Sequence, residues 1–366
     1  MPNIVNKSTD FAEHQFFVGI DIHKKSWTVT VRTLDIEISH FTQEPDAEQL
    51  ARYLNNRYPS GNFFSAYEAG YCGTSPHHAL CKYGIKNIII HPADLPQTDK
   101  QKNNKTDLHD SRAIARYLEA GVLSGIHILP PDQQERRALF RCREAKVKEV
   151  TRCSNRLRAL LYYLGVDLPE RFREKEYICQ TFLSWMCSIK LATSEGTETL
   201  QQYVEELKYQ RQQLLQLTRK LKKAILAHFK ESYTSLLTVP GIGPIIAMAL
   251  LAETGDLNRF KNPDEFCSYL GFIPAEQSSS DTVYSIRIQP RCNMHLRPLL
   301  IEAAWTAIRR CPVLLSYYKK HIGKNNKKAI VKVARKLALM AKAIAINKTV
   351  YQSDYLNREQ KQVMVV

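Results

Sequence analysis

The chain has 366 residues, more than one compact core usually organises, so two domains joined by a connector are expected. Its hydrophobic content of 44% is ordinary for a soluble protein, and a formal net charge of +16 points to a polyanionic partner, since neutralised phosphates supply most non-specific affinity for nucleic acid. A membrane partner is disfavoured: no uninterrupted apolar stretch reaches the ~18–20 residues that span a bilayer, and Met1-Pro2-Asn3 opens no signal peptide, so a cytoplasmic, nucleoid-associated location is expected.

The first element is a strand, Phe16-Phe17-Val18-Gly19-Ile20-Asp21-Ile22. It turns at His23-Lys24-Lys25-Ser26 into the alternating run Trp27-Thr28-Val29-Thr30-Val31, giving a hairpin. A third strand follows around Ile36-Glu37-Ile38, and then a helix over residues 47–58. Phe63-Phe64-Ser65-Ala66-Tyr67 is the next strand, closed by Glu68 before Gly70 and Gly73 turn the chain into a helix over residues 76–83. A strand over residues 87–91 precedes a polar, basic loop carrying Lys100, Lys102 and Lys105, which reads either as a substrate-facing segment or as a plain solvated linker. Three strands followed by alternating helix and strand is the order of a ribonuclease H-like fold, in which the first and fourth strands are neighbours.

Thr106-Asp107-Leu108-His109-Asp110-Ser111-Arg112 opens a helix, and a spacing of three puts Asp107 and Asp110 on one face, in line with Ile114. Helix-dipole preference and a Thr106 cap would account for those two acids alone. Asp21 and Glu68, each charged where a strand should carry an apolar residue, make a shared acidic cluster the better reading. Carboxylates of this kind hold hard cations such as Mg²⁺ or Mn²⁺, and phosphoryl-transfer sites place one or two ions about 3.5–4 Å apart.

Residues 134–164 read as one basic helix with an apolar seam through Val150, Cys153, Leu157, Leu160 and Leu164. Residues 198–229 repeat the pattern through Leu200, Tyr203, Leu207, Leu214, Leu217 and Leu221, with Gln210 interrupting. The two helices are expected to pair with each other or across subunits of a dimer or tetramer, with a plain helical spacer as the alternative. Nine cysteines without a Cys-x-x-Cys pair read as reduced thiols, and the eleven histidines give no zinc pattern beside them.

Beyond these helices, Val239-Pro240-Gly241-Ile242-Gly243-Pro244 resembles the turn of a helix-hairpin-helix module, whose backbone N–H groups accept a phosphate, with Gly241 and Gly243 as the binding residues. Ser278-Ser279-Ser280 lies among Arg287, Arg291, Asn293, His295 and Arg297. A serine there could act as a nucleophile beside cationic groups, although on the residues alone a plain polar loop is the favoured reading. The lysine-rich run from Lys319 to Lys336 is a further candidate for phosphate contact or a solvated charge run.

Taken in order, these segments resemble the DEDD transposases of bacterial insertion sequences, the insertion-sequence-110 family that also includes the Piv-type DNA invertases. Gly19-Ile20-Asp21-Ile22-His23-Lys24, Tyr67-Glu68-Ala69-Gly70 and Lys105-Thr106-Asp107-Leu108-His109-Asp110-Ser111-Arg112 look like its three acidic motifs. Pro240-Gly241-Ile242-Gly243-Pro244, Gly271-Phe272-Ile273-Pro274 and Leu296-Arg297 look like its C-terminal domain.

The resemblance implies an α/β ribonuclease H-like (RuvC-like) domain at 1–130, a helical coiled-coil connector at 131–232, a mainly α C-terminal transposase domain at 233–350, and a tail at 351–366. It implies a metal-binding tetrad of Asp21, Glu68, Asp107 and Asp110, and a nucleophilic serine five residues after Pro274, which is Ser279. Donor and target DNA would be substrates, a bridge RNA encoded by the element would guide them, and Lys105, Arg112, Gly241, Gly243, Arg287, Arg291 and Arg297 would contact nucleic acid. The family commonly has glycine where this chain has Ser280 and Cys292, so Ser278 and Ser280 stand as alternative nucleophiles. Two other readings remain at this level: a junction-resolving nuclease using metal-activated water, and an inactive nucleic-acid-binding relative.

Overall fold

A computed structural model describes residues 11–95, 107–173, 178–275, 278–279, 282–283, 287–288, 291–323 and 325–352, with only the main chain of 107–109, 274–275, 278–279, 282–283 and 287. Of the expected site residues, Lys105 and Ser280 lie outside the described residues, as do the side chains of Asp107, Ser278, Ser279 and Arg287. The chain divides into two compact units, Met1–Ile128 and Leu129–Val366.

The first unit is built on strands β1 (Gln15–Ile22), β2 (Trp27–Thr33), β3 (Ile36–Gln43), β4 (Asn62–Glu68) and β5 (Lys86–Ile90), in the order β3-β2-β1-β4-β5. The first three are an antiparallel meander, while β4 runs parallel to β1 and β5 parallel to β4. Parallel pairing needs crossovers, and helices α1 (Ala47–Arg57) and α2 (Ser75–Lys82) supply them. Asp46 caps α1 by accepting from the Glu48 N–H, and Leu50, Ala51 and Leu54 form its buried stripe.

Strand alternation sorts the sheet into two faces. Phe16, Val18 and Ile20 of β1, Val29 and Val31 of β2, Phe63 and Tyr67 of β4, and Ile89 pack with Leu50, Leu54 and Leu80. On the opposite face Ala66 and Ile90 pack with Leu95 and Ile114, the last belonging to α3 (Asp107–Glu119). Gly19 is on that second face, and a Cβ there would collide with the Ser111 carbonyl and the Ala115 N–H of α3. Glycine therefore lets α3 lie directly on β1. Adjacent first and fourth strands are as the sequence predicts.

The second unit is mainly helical. It contains α4 (Pro131–Tyr163), α5 (Glu170–Arg173), α6 (Gln180–Ser188) and α7 (Ser194–Leu236). These are followed by α8 (Pro244–Thr254), α9 (Pro263–Leu270), α10 (Leu296–Arg310), α11 (Pro312–His321) and α12 (Asn326–Asn347). Between α9 and α10 stand two short antiparallel pairs: β6 (Pro274–Ala275) with β9 (Arg287–Ile288), and β7 (Ser278–Ser279) with β8 (Thr282–Val283).

The long helices α4 and α7 pair with each other within the chain. Their buried contacts are Cys153, Leu157 and Leu161 against Leu200, Val204 and Leu207, closed over by Phe172, Phe182 and Met186. Leu161 takes the place expected of Leu160, and Leu164 is 37% exposed, because a helix at 3.6 residues per turn drifts off a strict heptad. Gln210 stays in the seam and accepts a hydrogen bond from Lys146 Nζ at 2.9 Å. The expected end of the second helix, Phe229, is instead a kink with φ −134° and ψ 32°, after which the helix resumes to Leu236. Beyond it a second core joins Phe140, Leu221 and Ile225 to α8, α9, α10 and α12.

Candidate active site

The acidic residues of the first unit are organised by the sheet. The β1–β4 register pairs Gly19 with Ala66 and Ile20 with Tyr67, so the next rung sets Asp21 beside Glu68 at the carboxyl ends of two parallel strands. Alternation puts both on the face of Gly19 and Ala66, the face that α3 covers. Asp110 is in the first turn of α3, one residue before Ser111, whose hydroxyl is 2.9 Å from that of Thr30 on β2. Asp21 Oδ2 is 3.0 Å from His23 Nε2, and its side chain is 19% exposed.

Helix α3 is held on this face along its length. The buried Thr30 hydroxyl joins Ser111 to His40 Nδ1, also at 2.9 Å. Burial, with the nearby Arg112 charge, lowers the His40 pKa, so His40 is neutral at neutral pH. Arg32 Nε donates to Glu119 Oε2 at 2.7 Å, and Arg112 forks onto Glu37 with three hydrogen bonds of 3.0–3.2 Å. Arg112, expected on nucleic acid, is thus engaged with the edge strand. The Thr30 link carries no sequence signal beyond a polar residue alternating with valines.

Among the described residues no three His, Cys, Asp or Glu side chains form a metal-ligand group, and the Asp107 side chain is not among those described. The donor chemistry nevertheless fits a hard divalent cation: Asp21, Glu68 and Asp110 offer only carboxylate oxygens, two of them from adjoining strand ends.

In the second unit, Gly241 has φ +86°, and a Cβ on it would meet the Ala303 carbonyl of α10. Its glycine is accounted for by helix packing, whereas Gly243, at the start of α8, has open space around it. Ser279 ends β7 opposite Thr282. Arg291 is exposed, and Arg297 Nη1 reaches the Gly271 carbonyl at 3.5 Å.

The same unit holds a buried polar cluster that sequence reasoning missed. Glu253, fully buried at the end of α8, accepts from Arg141 Nε at 2.8 Å and Nη2 at 2.9 Å, and from Asn293 Nδ2 at 2.8 Å. Arg137 Nε is 3.4 Å from it, and Arg137 Nη2 donates to the Glu253 carbonyl at 2.8 Å. Burial opposes the charge, but Arg141, Asn293 and Arg137 outweigh it and hold the carboxyl below its ordinary range. The available signal was a lone acid closing the apolar run from Ile245 to Ala252.

Comparison with known proteins matches two family profiles to separate parts of the chain. Residues 18–164 match that of the DEDD transposases of IS110 type, and residues 233–319 that described as the transposase IS116/IS110/IS902 family. The putative transposase y4rJ of Sinorhizobium fredii is 27% identical over 359 residues, covering 88% of this chain and 89% of its own length. The putative transposase y4qE of the same organism is 24% identical over 302 residues, covering 79% and 71%. The transposase for insertion sequence element IS1111A of Coxiella burnetii is 25% identical over 240 residues, covering 65% and 64%.

Proposed function

Because the chain belongs to the DEDD transposase family of IS110-type elements, whose members cleave and recombine DNA, we propose that it moves an insertion sequence by transesterification through a serine nucleophile. The observation that carries the phosphoryl-transfer part of this reading is the placement of Asp21 and Glu68 on adjoining strand ends, on the face seating the Asp110 turn of α3, while the serine rests on the family's C-terminal motif. In the same reading the sheet is ribonuclease H-like (RuvC-like), the protein works with the chromosome in the cytoplasm as a dimer or tetramer, and a bridge RNA selects donor and target DNA.

Asp21, Glu68, Asp107 and Asp110 would hold Mg²⁺ or Mn²⁺, which supplies Lewis-acid stabilisation of charge on the reacting phosphate. His23 fixes the Asp21 carboxylate through its 3.0 Å contact. The Ser279 hydroxyl attacks the phosphorus, its proton leaves to solvent, the Oγ–P bond forms, and the bond from phosphorus to the leaving sugar oxygen breaks, that oxygen taking up a proton. Rejoining is the reverse, with a sugar hydroxyl of the new partner strand displacing Oγ. One phosphodiester replaces another at each step, so the exchange needs no external energy source. Arg287, Arg291 and Arg297 flank the serine segment in sequence and suit the added negative charge.

The test is to incubate the protein with donor and target DNA, RNA from the element's flank and Mg²⁺, and to seek a covalent protein–DNA adduct by denaturing gel and peptide mapping. An adduct on Ser279 that is lost in Ser279→Ala is the expected result. Metal-dependent nicks that survive Ser279→Ala would instead assign the chemistry to water.

A further inference from the structure

We propose that Glu253, acting through Asn293 and Tyr269, clamps together the two ends of the segment that carries Ser279 and so sets the serine's position for attack. The proposal rests on the serine reading above.

A buried carboxylate is an expensive way to fill a core, since apolar residues of similar volume commonly serve stability as well or better. What Glu253 adds is orientation. Its carboxylate takes one Asn293 Nδ2 hydrogen bond at 2.8 Å, and Asn293 Nδ2 also reaches the Tyr269 hydroxyl at 2.7 Å. That hydroxyl in turn donates to the Glu253 carbonyl at 2.9 Å. The Asn293 carbonyl oxygen accepts from the His295 and Leu296 N–H groups at 3.0 and 2.9 Å, starting α10. Both ends of the Asn293 amide are therefore specified, and its main-chain N–H donates to the Tyr269 carbonyl at 2.7 Å.

These contacts join the last turn of α9 to the residues just before α10. Close packing reinforces the junction, because a Cβ on Gly271 would collide with the Cys292 Cβ, and Arg297 reaches the Gly271 carbonyl. In the sequence between these two ends lie two short antiparallel pairs, Pro274 with Ile288 and Ala275 with Arg287, and Ser278 with Val283 and Ser279 with Thr282. Tyr269 and Asn293 bracket these pairs in sequence, so fixing the two ends limits where the serine strand can lie. Arg137 and Arg141 come from α4, so the clamp is itself braced by the long basic helix.

The test uses the full chain and three readouts: the single-turnover rate of Ser279–DNA adduct formation, DNA affinity, and thermal melting. Tyr269→Phe removes only the bridging hydroxyl. Asn293→Asp keeps the oxygen that starts α10 but, when ionised, cannot donate to Glu253. The adduct rate is expected to fall by ~10²-fold in each, the scale of a misplaced reacting group, with DNA affinity unchanged.

In Asn293→Asp the new carboxyl faces Glu253 on α8, Arg137 and Arg141 on α4, Tyr269 on α9, and Arg259 and His295 nearby. Protonation restores its ability to donate, so its rate should recover on acidification while that of Tyr269→Phe does not. A merely structural defect would lower melting and every activity together, with no acid recovery. Equal adduct rates in folded variants and unaltered protein would overturn the clamp alone, and Tyr269→Phe decides the matter if Asn293→Asp fails to fold. No adduct in the unaltered protein would overturn the serine reading and the clamp with it.

Discussion

Gly19 shows how much of the acidic edge hangs on one missing side chain. A Cβ there would enter the backbone of α3 at Ser111 and Ala115, and backbone cannot yield as a flexible side chain can. Gly19→Ala should therefore destabilise the protein by about 1–3 kcal/mol and depress adduct formation further than that loss explains, as α3 is displaced from Asp21. Melting and single-turnover rates measured together check this. Glu253 gives a prediction with a defined pH dependence. Its carboxyl is held below the ordinary range, so its contribution is fully present above the unfolded carboxyl value and is lost as pH falls through the depressed one. Glu253→Gln leaves Arg141 without its charged partner and should cost about 3–5 kcal/mol near neutrality. In denaturant titrations the gap from the unaltered protein should stay constant down to about pH 5 and narrow below about pH 4. A constant gap into acid would mean that charge is not what Glu253 contributes.

At the scale of elements, α3 is a latch laid across the sheet, and Thr30 is the buried bond at its site end. Thr30→Val keeps the shape but leaves the Ser111 hydroxyl without this partner, so a loss of about 1–3 kcal/mol is expected in denaturant titrations. How far these elements could be read in the sequence depended on the range of the interaction that fixes each one. The five strands and the α3 acids follow local periods of two and of three to four, and the β1–β4 neighbourhood followed from element order. The kink at Phe229 appeared in the sequence as a helix end because the seam stops there, yet Tyr233 and Leu236 continue the helix into the C-terminal core. The Glu253 cluster was illegible for a different reason. Arg141 is 112 positions from Glu253 and Asn293 is 40, and a buried ion pair across such a span leaves no period behind.

For the whole molecule, a net charge of +16 states the attraction to a polyanion but overstates how many cations can meet phosphate. Arg32 is occupied by Glu119, Arg112 by Glu37, Arg141 by Glu253 and Arg335 by Asp264. DNA affinity should fall linearly on logarithmic axes with salt, at about 0.9 per phosphate neutralised, so its slope counts the cations engaged rather than those present. Arg291 is exposed beside the serine segment, and Arg291→Ala should lower that slope by about one contact, equally for every DNA sequence. Arg141→Ala should instead reduce melting temperature and leave the slope unchanged, because its guanidinium is spent on a buried carboxylate. Binding titrations across a salt series separate the two, and a lowered slope in Arg141→Ala would place that side chain on the DNA-facing surface rather than inside the clamp.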